Sequence, residues 1–271
     1  MATIFAFQEG LFPYQTEDAL YAQLRGWGFD AVEVWGEKLD ERMDRVKSAS
    51  HAAGLPVCGI CPGGAGIRGS LLSGDPEARG LAIGDIRTLL QCAAELGGAS
   101  LNLVPEFGAD KFMALHPDLN DYQNRRQRFL DQLGPLAIEA EKLGVTIILE
   151  PLNRYEAFFL ITVDQAANLC RTLASPAVRV LADLFHMNIE DADMPGALAR
   201  GIRFIPYIHL ADSNRLLPGH GHTDFRAVFQ ALQKAEFSGV LSMECGIPGD
   251  PEKTIPASLQ LMRKLYADTG Y

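Results

Sequence analysis

Short apolar runs alternate with longer amphipathic stretches along the chain, and turn residues mark most changes of period. Apolar runs rich in β-branched residues occupy residues 3–7, 29–35, 55–61, 99–104, 145–149, 178–183, 204–209 and 240–244. Several have no polar face, the pattern of strands buried on both sides of a parallel sheet. Between them the spacing is helical. Thr16 stands as N-cap to a helix reaching Trp27, a charged helix ends at Ala53 with Gly54 as its stop, and Asp75-Pro76-Glu77 opens a long helix closed by Gly97-Gly98. Further helices are predicted over 122–143, 163–173, 192–200, 224–235 and 251–266. A glycine-rich loop at 62–74 and a long connection after Phe107 interrupt the beat.

Eight strands alternating with eight helices imply parallel strands joined by right-handed crossovers. In 271 residues this fits one closed (β/α)8 barrel spanning 1–271, a fold whose usual size is about 250 residues. A doubly wound open sheet would place G-x-G-x-x-G after its first strand. Here Gln8-Glu9-Gly10-Leu11-Phe12 follows instead.

Composition narrows the function. The net charge of −10 argues against a general nucleic-acid binder, which needs a basic surface. Five cysteines lie scattered through apolar stretches, as in a reduced protein. Cys58 and Cys61 form a lone C-x-x-C inside a strand, without a second pair to make a metal site. No apolar run approaches the roughly 20 residues of a membrane span, and the N-terminus has no signal-peptide pattern. A cytoplasmic protein is expected.

The strand ends carry the candidate chemistry. After Val145-Thr146-Ile147-Ile148-Leu149 an acid, Glu150, arrives where the hydrophobic run stops, followed at once by Pro151. A carboxylate at the exit of a buried strand is costly unless something pairs with it. Catalytic groups of such a barrel sit at the C-terminal ends of the strands. The last four strands deliver Glu150, Asp183, His209 and Glu244 there. One acid at a strand end is ordinarily a helix cap or an ion-pair partner. Four metal-competent groups on successive strands are harder to explain that way, and like charges crowded together resist ionising. A divalent cation removes the conflict. Oxygen ligands with one nitrogen suit Mn2+ first, with Mg2+, Co2+ or Zn2+ as alternatives.

The motifs Leu149-Glu150-Pro151-Leu152-Asn153-Arg154-Tyr155-Glu156, Asp183-Leu184-Phe185-His186-Met187-Asn188, His209-Leu210-Ala211-Asp212-Ser213-Asn214-Arg215 with Pro218-Gly219-His220-Gly221, and Met243-Glu244 resemble the xylose-isomerase-like superfamily of TIM barrels. Within it they look most like the D-tagatose 3-epimerase and D-psicose 3-epimerase group. The resemblance implies a metal held by Glu150, Asp183, His209 and Glu244, and catalysis by Glu150 and Glu244 as paired acid/bases. It also implies substrate contacts from Glu156, His186 and Arg215. Each of these three has a plainer reading. His186 could be a core histidine bonded to backbone, Arg215 a surface ion pair, and Glu156 a partner of Arg154. His220 and His222 read as loop residues. Glu33, ending the second strand, could brace the site from behind, and Phe7, Trp35 and Phe107 could wall the pocket.

The expected reaction is metal-assisted isomerisation or epimerisation of a sugar through an enediolate, foremost ketose 3-epimerisation. The loops after strands seven and eight lack a phosphate-binding pattern, which favours an unphosphorylated sugar or hydroxy-ketone as substrate. Hydroxypyruvate isomerase, other aldose–ketose isomerases and inosose dehydratases of the same superfamily are the alternatives. An endonuclease-IV-like DNA repair nuclease is more remote, because strand ends two to four offer Glu33, Cys61 and Pro105 rather than histidines. A role in carbohydrate metabolism and a homodimer or homotetramer are expected from the same resemblance.

Overall fold

In the computed structural model, residues 3–63, 66–107 and 119–269 are described, with side chains from Tyr122 onward in the last segment. Residues 64–65 of the expected glycine-rich loop and 108–118 of the connection after Phe107 lie outside them. Eight parallel strands close a barrel in chain order: β1 Ile4–Gln8, β2 Ala31–Trp35, β3 Val57–Cys61, β4 Ser100–Leu103, β5 Ile147–Leu149, β6 Val178–Asp183, β7 Tyr207–Leu210 and β8 Val240–Met243. Around it run α1 Glu17–Trp27, α2 Leu39–Ala53, α3 Pro76–Glu95, α4 Leu119–Leu143, α5 Val163–Leu173, α6 Leu184–Glu190, α7 Met194–Gly201, α8 Phe225–Lys234 and α9 Pro251–Asp268.

Side chains of a strand alternate between its two faces. One set, including Val32, Val34, Ile147, Leu149, Val180, Ile208 and Leu241, joins the large core between sheet and helices. The other set points into the barrel. Low in the bore, Ile148, Leu181 and Tyr207 pack together, with Cys58 and Val240 against them. Gly59 makes room for this plug, because a Cβ there would lie 2.8 Å from Tyr207 Oη. The same alternation, continued toward the strand ends, places Gln8, Glu33, Asn102, Glu150, Asp183, His209, Ser242 and Glu244 inside. A register shift between β2 and β3 at Val32/Glu33 accompanies the buried Glu33, in keeping with bulges that re-aim side chains near functional sites.

Two sequence expectations are corrected. The segment after β6, for which no helix is predicted before residue 192, is the short helix α6. Asp183 does double duty there, since its Oδ1 accepts from the backbone N–H of Phe185 (2.7 Å) and His186 (3.2 Å) and so caps the helix. Phe7, expected as a pocket wall, faces the outer core instead, packed edge-on against Phe29 (5.2 Å) and Phe12 (5.9 Å).

At the end of α6 one oxygen of Asp191, Oδ2, is buried without a hydrogen-bond partner. Burial first, then the nearby Asp164 carboxylate, pushes the Asp191 pKa up to about 6 from 3.8. Between those values the folded protein keeps a proton that the unfolded chain has lost. Stability from this group therefore falls as pH rises through the window and stays lost above about pH 6. Asp191→Asn is expected to gain about 1 kcal/mol near pH 7, discounted for the partial exposure of the group. Near pH 3 it gains nothing, as denaturant titrations at the two pH values would register.

Candidate active site and metal centre

Glu150, Asp183, His209 and Glu244 offer one ligand atom each, and these atoms all lie within 4.8 Å of one another. His209 is the hub. Its Nδ1 sits 3.3 Å from Glu150 Oε1, 3.6 Å from Asp183 Oδ2 and 3.1 Å from Glu244 Oε2. Each acid turns one oxygen to this centre and ties the other elsewhere. Asp183 Oδ1 caps α6, Glu150 Oε2 accepts from Asn102 Nδ2 (2.6 Å), and Glu244 Oε1 accepts from Gln8 Nε2 (3.0 Å). The donor set, three carboxylate oxygens and one imidazole nitrogen, fits a divalent ion of the Mn2+ or Mg2+ kind. Thiolate ligation does not fit: Cys61 borders the site, but burial, followed by Glu244, raises its thiol well above the usual range.

Charge is heavily managed here. Burial alone would raise the Asp183 carboxyl, yet Arg215 and the two neighbouring histidines hold it well below the usual range. Glu244 is brought to about 2: burial opposes the shift, and His209 and Arg215 outweigh it. Burial would lower the His209 imidazolium, but Glu33, Glu244 and Glu150 hold it well above its ordinary value.

Behind His209 stands Glu33. Both its carboxylate oxygens lie 3.1 Å from His209 Nε2, and Oε2 also accepts from Ser242 Oγ at 2.7 Å. A carboxylate only accepts hydrogen bonds, so Nε2 keeps a proton toward Glu33, and Nδ1 is the nitrogen that would offer its lone pair to an ion once its own proton has left. Glu33, at the middle of β2, thus stands behind His209 and braces it. Glu33→Gln is expected to weaken divalent-ion binding about 10–100-fold, measured by titrating the purified protein with Mn2+.

Arg215 reaches the site from a loop organised by Asp212. The buried Asp212 carboxylate accepts from the backbone N–H of Ser213, Gly219 and Thr223 at 2.8, 2.9 and 3.0 Å. Those N–H groups keep the Asp212 carboxyl below its usual range although burial opposes them. Arg215 itself has φ +62°, a left-handed backbone that costs a non-glycine residue about 1–2 kcal/mol. Its guanidinium donates to Asp183 Oδ2 and Glu244 Oε2, both at 2.5 Å, and lies 4.9 Å over the Phe185 ring. It is an ion pair, as its plainer reading holds, but with the site's own acids.

His186 extends from the first turn of α6. The backbone and side-chain N–H groups of Asn153 both donate to its Nδ1, at 3.1 and 2.8 Å. With Nδ1 accepting, Nε2 is the ring nitrogen that carries a proton, a donor for an incoming oxygen. Glu156 Oε1 accepts from the same Asn153 amide at 2.8 Å, while Arg154 pairs with Glu190. His220 and His222 are exposed.

These groups open into a cavity of about 1370 Å3, lined among others by Trp35, Cys61, Asn102, Phe107, Arg128, Glu150, Glu156, His186, Arg215 and Glu244. Asn102 and Gln8 were not singled out from sequence. The one signal was polarity inside or at the end of an apolar run, as in Leu101-Asn102-Leu103.

Known proteins share this architecture. Residues 21–265 match the family described as Xylose isomerase-like TIM barrel. The chain is 30% identical over 246 residues to 3-dehydro-D-guloside 4-epimerase of Escherichia coli (strain K12), covering 90% of this chain and 92% of the relative. It is 26% identical to D-psicose 3-epimerase of Ruminiclostridium cellulolyticum, covering 80% and 74%. The crystal structure of the apo 3-keto-D-glucoside 4-epimerase of E. coli superposes with a TM-score of 0.89 at 27% identity, covering 97% of this chain and 99% of that one. With residues 21–265 of its 271 matched, the chain belongs to the xylose isomerase-like TIM-barrel family.

Proposed function

We propose that this protein is a divalent-metal-dependent sugar epimerase that inverts a carbon next to a carbonyl group. Glu150, Asp183, His209 and Glu244 would hold the ion, with Mn2+ the first choice and Mg2+, Co2+ or Zn2+ next. Such an ion supplies Lewis acidity toward a carbonyl oxygen and its neighbouring hydroxyl. The chain's own part is proton handling. A hydrogen beside a carbonyl is weakly acidic, and inversion needs one group to remove it and another to return a proton from the opposite face. Glu150 and Glu244 are the pair. The observation that carries this reading is that both carboxylates reach Nδ1 of His209, at 3.3 and 3.1 Å, within one four-residue cluster. Arg215 and the Nε2–H of His186 would hold substrate oxygens, and Glu156 would orient the far hydroxyl end.

Ketose 3-epimerisation of an unphosphorylated sugar is the first substrate reading. A second, 4-epimerisation of a 3-keto-glycoside, is favoured by the 30% identity across most of the E. coli enzyme. Incubating the Mn2+-loaded protein in D2O with D-fructose, D-tagatose, L-ribulose, hydroxypyruvate, an inosose and a methyl 3-keto-D-glucoside separates the readings. Deuterium at C3 of a ketose supports the first, and deuterium at C4 of the glycoside the second. No exchange into any sugar would sink both.

No helix among the described residues is long and apolar enough to cross a membrane. The described cysteines are free, which suits a reducing compartment. We place the enzyme in the cytoplasm, in carbohydrate metabolism, as a homodimer or homotetramer.

A further inference from the structure

Two carboxamides flank the acid/base pair. Read around the barrel from β4 through β8 to β1, the inward residues near the strand ends run Asn102, Glu150, Asp183, His209, Glu244, Gln8. The sequence is mirror-like: amide, acid, two middle groups, acid, amide. Asn102 and Gln8 are each 1% exposed. Each gives a side-chain N–H to a neighbouring glutamate, Asn102 to Glu150 Oε2 at 2.6 Å and Gln8 to Glu244 Oε1 at 3.0 Å. In both cases the oxygen so held is the one turned away from His209.

An oxygen committed to a cation cannot easily take up a proton. The second oxygen of each glutamate is therefore the proton-carrying one, and it is the one whose position the amide fixes. Asn102 has a further feature. Its Oδ1 is buried without a partner, and the residue lines the cavity. Leaving a buried acceptor unsatisfied costs about 1–3 kcal/mol, and a sugar hydroxyl is the kind of donor that would satisfy it.

We infer that Asn102 and Gln8 are paired positioning residues, each aiming the proton-carrying oxygen of one glutamate at one face of the substrate carbon. This rests on the epimerase reading given above. The step conserves atoms and electrons. One glutamate takes the C–H proton while that electron pair becomes a C–C π bond and the carbonyl π pair moves to oxygen. The other glutamate, entering protonated, gives its proton to the opposite face as the electrons return. Nothing is oxidised or reduced, and the two glutamates exchange protonation states.

The test uses near-isosteric variants without the donor, Asn102→Leu and Gln8→Met. It uses D-fructose and its C3 epimer, each deuterated at C3, or methyl 3-keto-D-glucoside and its C4 epimer, each deuterated at C4, whichever pair the wild type interconverts. Each variant is expected to lose about 10–100-fold in kcat, the usual cost of removing a hydrogen-bond partner of a ligating carboxylate. Mn2+ should still titrate at wild-type stoichiometry and similar affinity. KM rises for Asn102→Leu, which loses the hydroxyl acceptor, and stays near wild type for Gln8→Met. The deciding readout is the deuterium isotope effect on kcat. It should increase in one direction of the reaction for Asn102→Leu and in the opposite direction for Gln8→Met. A merely structural disturbance would move both directions alike. If Asn102→Leu does not fold, Asn102→Ser, which shortens the reach, carries the same expectation. Wild-type kcat in both variants, matching isotope effects in the two directions, or loss of Mn2+ binding would each overturn the inference. A wild type inert toward both pairs would instead remove the epimerase reading beneath it.

Discussion

Glu150→Gln and Glu244→Gln are each expected to lower turnover by at least about 10²-fold, and toward 10⁴-fold where proton transfer limits the rate. An amide has nearly the shape of the carboxylate and can still offer an oxygen to a cation, so the loss falls mainly on proton transfer. The two variants should differ in kind. Whichever glutamate deprotonates a given sugar, its loss abolishes exchange of that sugar's hydrogen with solvent. Loss of the other glutamate should permit exchange without inversion, because the proton can be removed but not returned on the far face. Deuterium uptake into recovered substrate, followed by NMR, distinguishes the two. Near-normal inversion by either variant would show that the proton carriers lie elsewhere. The effect is expected to be large because these carboxylates are not interchangeable with solvent. Glu150 is 3% exposed, and its outer oxygen is already held by Asn102.

Stripping divalent ions with a chelator should reduce turnover below detection, and Mn2+ should restore it. Lewis acidity is worth several kcal/mol to a developing oxyanion, so a loss of about 10³-fold or more is expected. The ion should also stabilise the fold, by about 4 kcal/mol when free Mn2+ is 1,000 times its Kd. A proton should leave as the ion enters. Burial opposes protonation of His209, but Glu33, Glu244 and Glu150 hold its pKa well above the ordinary value. Ion binding at Nδ1 needs that nitrogen's lone pair. Apparent affinity should therefore rise with pH up to the raised pKa and flatten above it. Calorimetric titrations with Mn2+ in buffers of different ionisation enthalpy would report the released proton. A pH-independent affinity with no proton release would place the ion elsewhere.

Much of this was legible in the sequence because a barrel strand has only two faces. Glu150, Asp183 and His209 each close an apolar run, where a barrel puts its chemistry, and in the structure parity with the inward Ile148, Leu181 and Tyr207 turns them inward. Contiguous motifs in the second half of the chain made His186 and Arg215 visible too. The supporting cast was harder to see. Gln8 and Asn102 are lone amides at the ends of short strands, and only the closure of β1 against β8 and of β4 against β5 shows which acid each one holds. The helix α6 was hidden for a related reason. Asp183 ends a strand so clearly that its second task, capping the next helix with its other oxygen, leaves no separate trace. Glu33 stood out as an acid in an apolar strand, but its partner is 176 positions away.

The plug of Ile148, Leu181 and Tyr207 has a practical corollary. With the bore closed beneath the chemistry, the doorway for sugars among the described residues lies on the strand-end side. Arriving and departing molecules must take turns at it, so the inverted sugar should act as a competitive inhibitor of its own formation. The opposite end of the barrel is free of traffic, and anchoring the protein to a solid support there would leave the doorway clear.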